Sequence, residues 1–287
     1  LSEVQKVLGV DLPLNAPFSL SSTEPLSVGG ISCRWLLGEQ GDLSGGELGA
    51  TIVPAGIGLS SELASSVSGS PRCDTGADLA TSNSGCRVGV VVGGWWIEAE
   101  VFLYSSAAAQ RDAADTAQAR LEAAVAGVTP PTIVPRTALD CAVVDTAVAP
   151  GSNLGLGAFT VSPSPALDPP TDLAEFAAAR AAGVTDCTWI GASGLSFSVS
   201  LLSQATTDYD ACAARSDATR ADVAGLAKVV TFPIVDEGAE LLCASDGISS
   251  AHMWGPPNSG GATEPWTAAQ LAQVSKILAP ALAVASR

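Results

Sequence analysis

A chain of 287 residues is longer than one ordinary domain and suits two of about 130–150 residues each, both able to bury a core. Its 29 acidic against 13 basic residues leave a net charge of −16, and no basic cluster interrupts that balance. Such a surface repels phosphate backbones and anionic membranes, which excludes nucleic acid as a partner and leaves solubility, or a cationic ligand, for the charge to serve.

From the N-terminus, Ser2–Leu8 reads as a short helix ended by Gly9. Ile31, Cys33, Trp35 and Leu37 alternate on one face, as a half-buried strand does. The Gly-rich stretch Gly38–Gly46 is a loop, Leu48–Val53 returns as a strand, and residues 58–85 form an irregular segment pinned by Cys73. Arg87–Tyr104 is a hairpin, because Gly93-Gly94 supplies the backbone freedom of a two-residue type I′ or II′ turn. Centring the turn there pairs Val92 with Trp95, Val90 with Ile97, Val88 with Ala99 and Cys86 with Val101 on one apolar face. The other face pairs Arg87 with Glu100 and Val91 with Trp96, so period, turn chemistry and charge agree on one register. Ala107–Val125 follows as an Ala-rich amphipathic helix ended by Gly127, and Thr129–Pro135, with three prolines, is the inter-repeat linker.

In the second half, Asp172 starts a helix through Ala182, capped by Gly183. Thr185, Cys187 and Trp189 alternate as a strand, and so do Leu195, Phe197, Val199 and Leu201. Arg220–Lys228 is expected to be a helix, with strands at Val229–Val235 and Glu240–Ser245. Asp246-Gly247 turns the chain into Ile248–Trp254, and Thr267–Leu278 closes the half as a helix. The longest apolar run near either end, Ile277–Ala285, is about half a membrane span and holds Pro280, so no transmembrane helix is expected. The chain opens at Leu1 without a charged leader, and the expectation is that a leader has been removed.

Seven cysteines carry the compartment argument. No C-x-x-C occurs, which removes zinc-knuckle and thioredoxin-like readings, and one histidine and one methionine leave little for a transition metal. Neither a metal nor a cofactor is expected. Widely spaced cysteines in an acidic chain are read as disulfides from an oxidising compartment, although reduced cysteines are also often buried. Cys33-Arg34-Trp35 and Cys187-Thr188-Trp189 are both Cys-x-Trp, 154 residues apart. From there to the last cysteine of each half is 53 residues in one case and 56 in the other. Cys141 precedes the second set, and its first-half counterpart would fall upstream of Leu1. The hypothesis is four cysteines per repeat, with bonds Cys141–Cys187, Cys73–Cys86 and Cys212–Cys243, and with Cys33 unpaired. A Cys33–Cys141 bond would overturn it.

No catalytic residue stands out. A triad needs a histidine beside a nucleophile; only His252 exists, and no G-x-S-x-G accompanies it. Carboxylate pairs occur at Asp208/Asp210, Asp236/Glu237 and Glu98/Glu100. A glycosidase needs two such groups in an aromatic-lined cleft, and Glu98 with Glu100 comes nearest, sharing a strand face with Trp96, Phe102 and Tyr104. The plainer account is a solvated acidic face. No EF-hand spacing supports calcium, and Gly155–Gly157 lacks the third glycine of a nucleotide fingerprint. The stripe Trp96, Glu98, Glu100, Phe102 and Tyr104 is therefore the candidate for ligand binding, unless a helix or the other repeat covers it.

The Cys-x-Trp strands (Cys33, Trp35, Cys187, Trp189), the order of Cys73, Cys86, Cys141, Cys212 and Cys243, and the Ala-rich terminal helix resemble small cell-envelope lipoproteins of high-GC Gram-positive (actinobacterial) bacteria. Those are similar in turn to the extracellular sensor domain of a mycobacterial receptor Ser/Thr kinase. The resemblance implies an α+β fold with two disulfides per domain, an N-terminal lipid anchor, and ligand sensing or binding without catalysis. The chain departs from the pattern: it shows no lipobox, lacks the first cysteine of its first repeat, and is a tandem copy. The expectation is thus an α+β protein of two related repeats, residues 1–128 and 138–287, joined by a Pro-rich linker at 129–137. Each repeat would be a disulfide-stapled antiparallel sheet with helices packed on one face. It would lie at the cell surface or be secreted, binding a small ligand or an envelope component, with the groove between repeats one place for it. An envelope hydrolase using a carboxylate pair and a protein-interaction scaffold are the competing expectations.

Overall fold

Two glycines set the register of the first sheet. In the computed structural model, which describes residues 24–36, 47–57, 71–73, 85–102, 107–163, 173–192, 194, 196–215, 217–234, 239–254 and 266–287, Gly93 and Gly94 have φ of 58° and 83°. That is the left-handed backbone a type I′ turn demands of both central residues. Strands β4 (Cys86–Val92) and β5 (Trp95–Phe102) pair in the expected register, from Val92 opposite Trp95 to Cys86 opposite Val101. With β1 (Ile31–Leu36), β2 (Glu47–Pro54) and β3 (Arg72–Cys73) they form an antiparallel sheet in the order β1-β2-β5-β4-β3. A one-turn helix, α1 (Glu24–Ser27), precedes β1.

Helix α2 (Ala107–Val125) has the bounds its sequence predicts. Ala114, Ala117, Leu121 and Val125 recur at helical spacing and pack against Cys33, Ala50, Val88, Ala99 and Val101 of the sheet. Gly127 (φ 78°) follows in the left-handed conformation that ends helices. The predicted helix Ser2–Leu8, the loop Gly38–Gly46, most of residues 58–85 and Tyr104 lie outside the described residues.

The second sheet is larger. Strands β6 (Phe159–Pro163), β7 (Val184–Gly191), β8 (Ser196–Leu202), β9 (Thr219–Arg220), β10 (Lys228–Ile234), β11 (Ala239–Ser245) and β12 (Ser250–Trp254) run in the order β6-β7-β8-β12-β11-β10-β9, antiparallel throughout. Four helices accompany it: α3 (Cys141–Val148), α4 (Pro150–Leu154), α6 (Thr207–Ala213) and α7 (Ala268–Ala285). A capping box between Thr267 and Gln270 starts α7. Val274, Ile277, Leu278, Ala281, Leu282 and Ala285 then form a buried stripe along it. By length and composition alone α7 is apolar enough to cross a membrane, but here that stripe faces the core.

Three expectations about elements are corrected. The helix predicted to stop at Leu278 runs on through Pro280 to Ala285, because Ala281, Leu282 and Ala285 extend its buried stripe and offset the hydrogen bond lost at proline. Arg220–Lys228 is not a helix. Gly225 is left-handed (φ 84°), Ala221 N–H donates to Val229 O at 3.1 Å, and the segment is a turn between β9 and β10. Helices also pack on both faces of each sheet rather than on one. Along β11, Leu242 packs with α7 while its neighbour Cys243 points the opposite way to Tyr209 and Cys212 of α6.

The other two-sided packing involves helix α5 (Leu173–Ala182). The sequence assigns it to the second repeat. By its contacts the chain divides into residues 1–134 with 171–181, and residues 135–170 with 182–287. Helix α5 thus belongs with the first sheet, apart from its final residue. Its Ala174, Ala177, Ala178 and Ala181 are all buried, a narrow stripe suited to a flat sheet face.

Three disulfides, Cys73–Cys86, Cys141–Cys187 and Cys212–Cys243, join the pairs that the cysteine order suggested, and Cys33 is a buried free thiol. They tie β3 to β4, α3 to β7, and α6 to β11. Such bonds form and persist in oxidising, extracytoplasmic environments.

Candidate functional site

The hairpin stripe proposed from sequence is not an open surface. Trp96 is 1% and Glu98 4% exposed, and the covering element is α5. Across that face Ser32 of β1, Thr51 of β2 and Glu98 of β5 lie in one cross-strand row. The Ser32 and Thr51 hydroxyls are 2.9 Å apart, and Ser32 also donates to the Glu175 carboxylate of α5. Glu98 Oε2 accepts the Ala174 backbone N–H at 2.9 Å. An anion there satisfies a first-turn amide that has no partner within its own helix, and it complements the positive end of the helix dipole.

Arg87 sits between the two carboxylates of the stripe. Its Nε lies 3.3 Å from Glu98 Oε1 and its Nη2 donates to Glu100. The Glu98–Glu100 pair is therefore spent on a guanidinium and a helix end. Phe102 contributes backbone to β5 opposite Glu47; its side chain, like Tyr104, is outside the described residues, as are Asp236 and Glu237. His252 is half-buried on β12, opposite Cys243 and Ser200. Asp208 is buried in the first turn of α6, and Asp210 accepts a hydrogen bond from the Thr206 hydroxyl at 2.7 Å. Among the described residues no group of three or more His, Cys, Asp or Glu side chains is placed to hold a metal ion.

A different feature is open. In the seven-stranded unit, α3 begins at an Asp140 cap that accepts the Ala142 N–H at 2.9 Å and ends at Ala149, a non-glycine residue at φ 42°. Short α4 follows, then Gly155 (φ 68°) and Gly157 (φ 86°) turn the chain into β6. The turn is tight: a Cβ on Gly151 would lie 2.2 Å from Gly157 O, which only glycine tolerates. The result is a solvent-open groove of about 440 Å³ lined by Asp145, residues 149–152 and 157–158, and Phe159.

Asp145 is held in place from behind. Trp189 Nε1 donates to Asp145 Oδ1 at 2.7 Å, and Trp189 is fully buried. Its ring stacks on Phe197 with centroids 5.1 Å apart, and Phe197 meets Phe159 edge-on at 5.7 Å. The geometry follows from two periodicities. Cys141 and Asp145 are one helical step of about 6 Å apart, while Cys187 and Trp189 are one strand repeat of about 6.6 Å apart. Cys141–Cys187 and Asp145–Trp189 are accordingly two rungs of one ladder between α3 and β7.

Sequence reasoning singled out neither Asp145 nor the groove. A signal existed: a buried tryptophan needs an acceptor for its indole N–H, and the residue one turn beyond Cys141 supplies it. The Gly155–Gly157 pair, noted for phosphate and set aside, shapes the groove instead.

Comparison of the chain with protein-family models, with curated proteins and with solved structures finds no match.

Proposed function

We propose that this chain is an extracytoplasmic, non-catalytic binding protein that holds a small ligand or envelope component in the Asp145 groove. The observation that carries the reading is a solvent-open groove whose carboxylate is pinned by a buried indole. A volume of about 440 Å³ is of the size that takes a small molecule. Orienting a polar group from a rigid helix-and-strand ladder is how binding sites gain specificity without induced rearrangement. The proposal includes duplication of one stapled unit. Two things favour this: the order β1-β2-β5-β4-β3 is matched by β7-β8-β12-β11-β10, and α2 and α7 each follow the last strand of their sheet. It also retains the envelope-lipoprotein type, tethered at the surface, that the cysteine pattern resembles.

Native mass spectrometry of the disulfide-bonded protein purified from its own envelope tests it. The expected result is a bound small molecule on the wild type and its loss from Ala158→Trp, which places an indole at an exposed position lining the groove. Retention of the same molecule by Ala158→Trp would sink the assignment.

A further inference from the structure

We infer that the ligand of the Asp145 groove presents a primary ammonium group; this rests on the binding reading above and adds the chemistry that the groove selects. Among the described residues no basic side chain lines the groove, so none pairs with the carboxylate ahead of a ligand. Oδ1 already accepts the Trp189 indole N–H at 2.7 Å, and Oδ2 has no hydrogen-bond or ion-pair partner among the described residues. A guanidinium recognises a carboxylate best when it can take both oxygens in a fork. Here one lone pair of Oδ1 is taken from the protein side, which leaves Oδ2 the freer oxygen and favours a donor that needs only one.

The rest of the lining points the same way. An ammonium directs three N–H groups, and Ser152, Gly157 and Ala158, which line the groove with Asp145, carry further acceptor oxygens. A quaternary ammonium instead wants several aromatic faces around it, whereas among the described residues Phe159 is the one ring that lines the groove. That ring supplies an apolar wall for a short carbon chain attached to the amine. The net charge of −16 adds a long-range pull on such a cation.

The test uses n-butylammonium chloride as the probe, 1-pentanol as an uncharged analogue of similar length and n-butylguanidinium as the forked competitor. All three are titrated into the intact disulfide-bonded protein while backbone amide shifts are followed by NMR. Butylammonium is expected to shift amides of residues 145–159, to bind more tightly than either comparator, and to weaken as salt is raised. Asp145→Asn keeps an acceptor for the Trp189 indole and removes the charge, so it is expected to weaken butylammonium roughly tenfold to a hundredfold while leaving the melting temperature nearly unchanged. Ala158→Trp, which leaves the Asp145–Trp189 bond in place, is expected to abolish the shifts and serves as the second variant should Asp145→Asn fold poorly. Equal binding of 1-pentanol or butylguanidinium, shifts confined elsewhere, or no loss in Asp145→Asn would overturn the ammonium assignment. If the envelope-derived molecule is lost from Ala158→Trp but retained by Asp145→Asn, the groove stands and the ammonium falls. If both variants retain it, the binding reading falls as well.

Discussion

Cys33 on β1 and Cys187 on β7 open the same Cys-x-Trp pattern, yet they have opposite fates. Cys187 is bonded to the first residue of α3, and Trp189 two residues on grips the same helix through Asp145. Cys33 is a free thiol, 2% exposed, packed among aliphatic side chains of its own sheet and α2. The sheets also differ in what covers their other elements. In the seven-stranded unit a clamped helix leaves a carboxylate at the rim of an open groove. In the five-stranded unit the polar row Ser32, Thr51 and Glu98 is covered by α5. The strand pattern alone does not make a site; the element fastened to it does.

Breaking the clamp tests this most severely. The Cys141→Ala/Cys187→Ala double variant frees a loop of 46 residues, and in the chain-entropy model the loss is about 4 kcal/mol. Urea denaturation is expected to show it, together with loss of the Asp145–Trp189 contact in the indole N–H resonance. Cys33→Ala should cost only about 1 kcal/mol, the scale of a small buried truncation. Equal losses from the two would abolish the contrast.

The α5 contact comes next. Glu98→Ala removes the acceptor of Ala174 N–H and one partner of Arg87, at an expected cost of about 2–3 kcal/mol. Glu98→Gln keeps a neutral acceptor and should lose about half of that. Hydrogen exchange should locate the effect in residues 174–181. If α5 amides keep their protection in Glu98→Ala, the carboxylate does not dock the helix.

A pH-dependent effect sharpens the thiol side of the comparison. Burial pushes the Cys33 thiol up from 9.0 to about 12, so between those values the folded chain holds a proton that the unfolded chain has released. Its contribution to stability is complete below about pH 9 and drains as the pH rises towards 12, by about 1.4 kcal/mol per pH unit. Denaturation midpoints measured from pH 8 to 11 should fall less steeply in Cys33→Ala than in the wild type. Parallel curves would show that the thiol does not titrate this way.

Much of the molecule was legible as local pattern. The register of β4 with β5 follows from Gly93-Gly94 and a period of two, and α2 from its alanine stripe and Gly127. Elements whose stability comes from elsewhere were harder to read. Helix α3 is eight residues with three valines, and strand β6 is five residues at a sheet edge. Neither has a period long enough to stand out, although Asp140 before α3 was a usable cap signal. The turn at Gly225 looked helical because one glycine in a polar apolar mixture does not announce its left-handed angle.

By itself the sequence determined the β4–β5 hairpin and helix α2, because turn chemistry and periodicity act over short range, and its repeated cysteine order suggested which thiols meet. Tertiary structure alone decided where α5 lies, and hence that the Glu98 face is closed. An alanine stripe fits any flat surface, and the choice is made by hydrogen-bonding partners 76 residues away for Ala174 and 143 for Glu175. It decided the Asp145 groove for the same reason. A helix rise and a strand rise must come into step across a disulfide before the carboxylate has a direction in which to point.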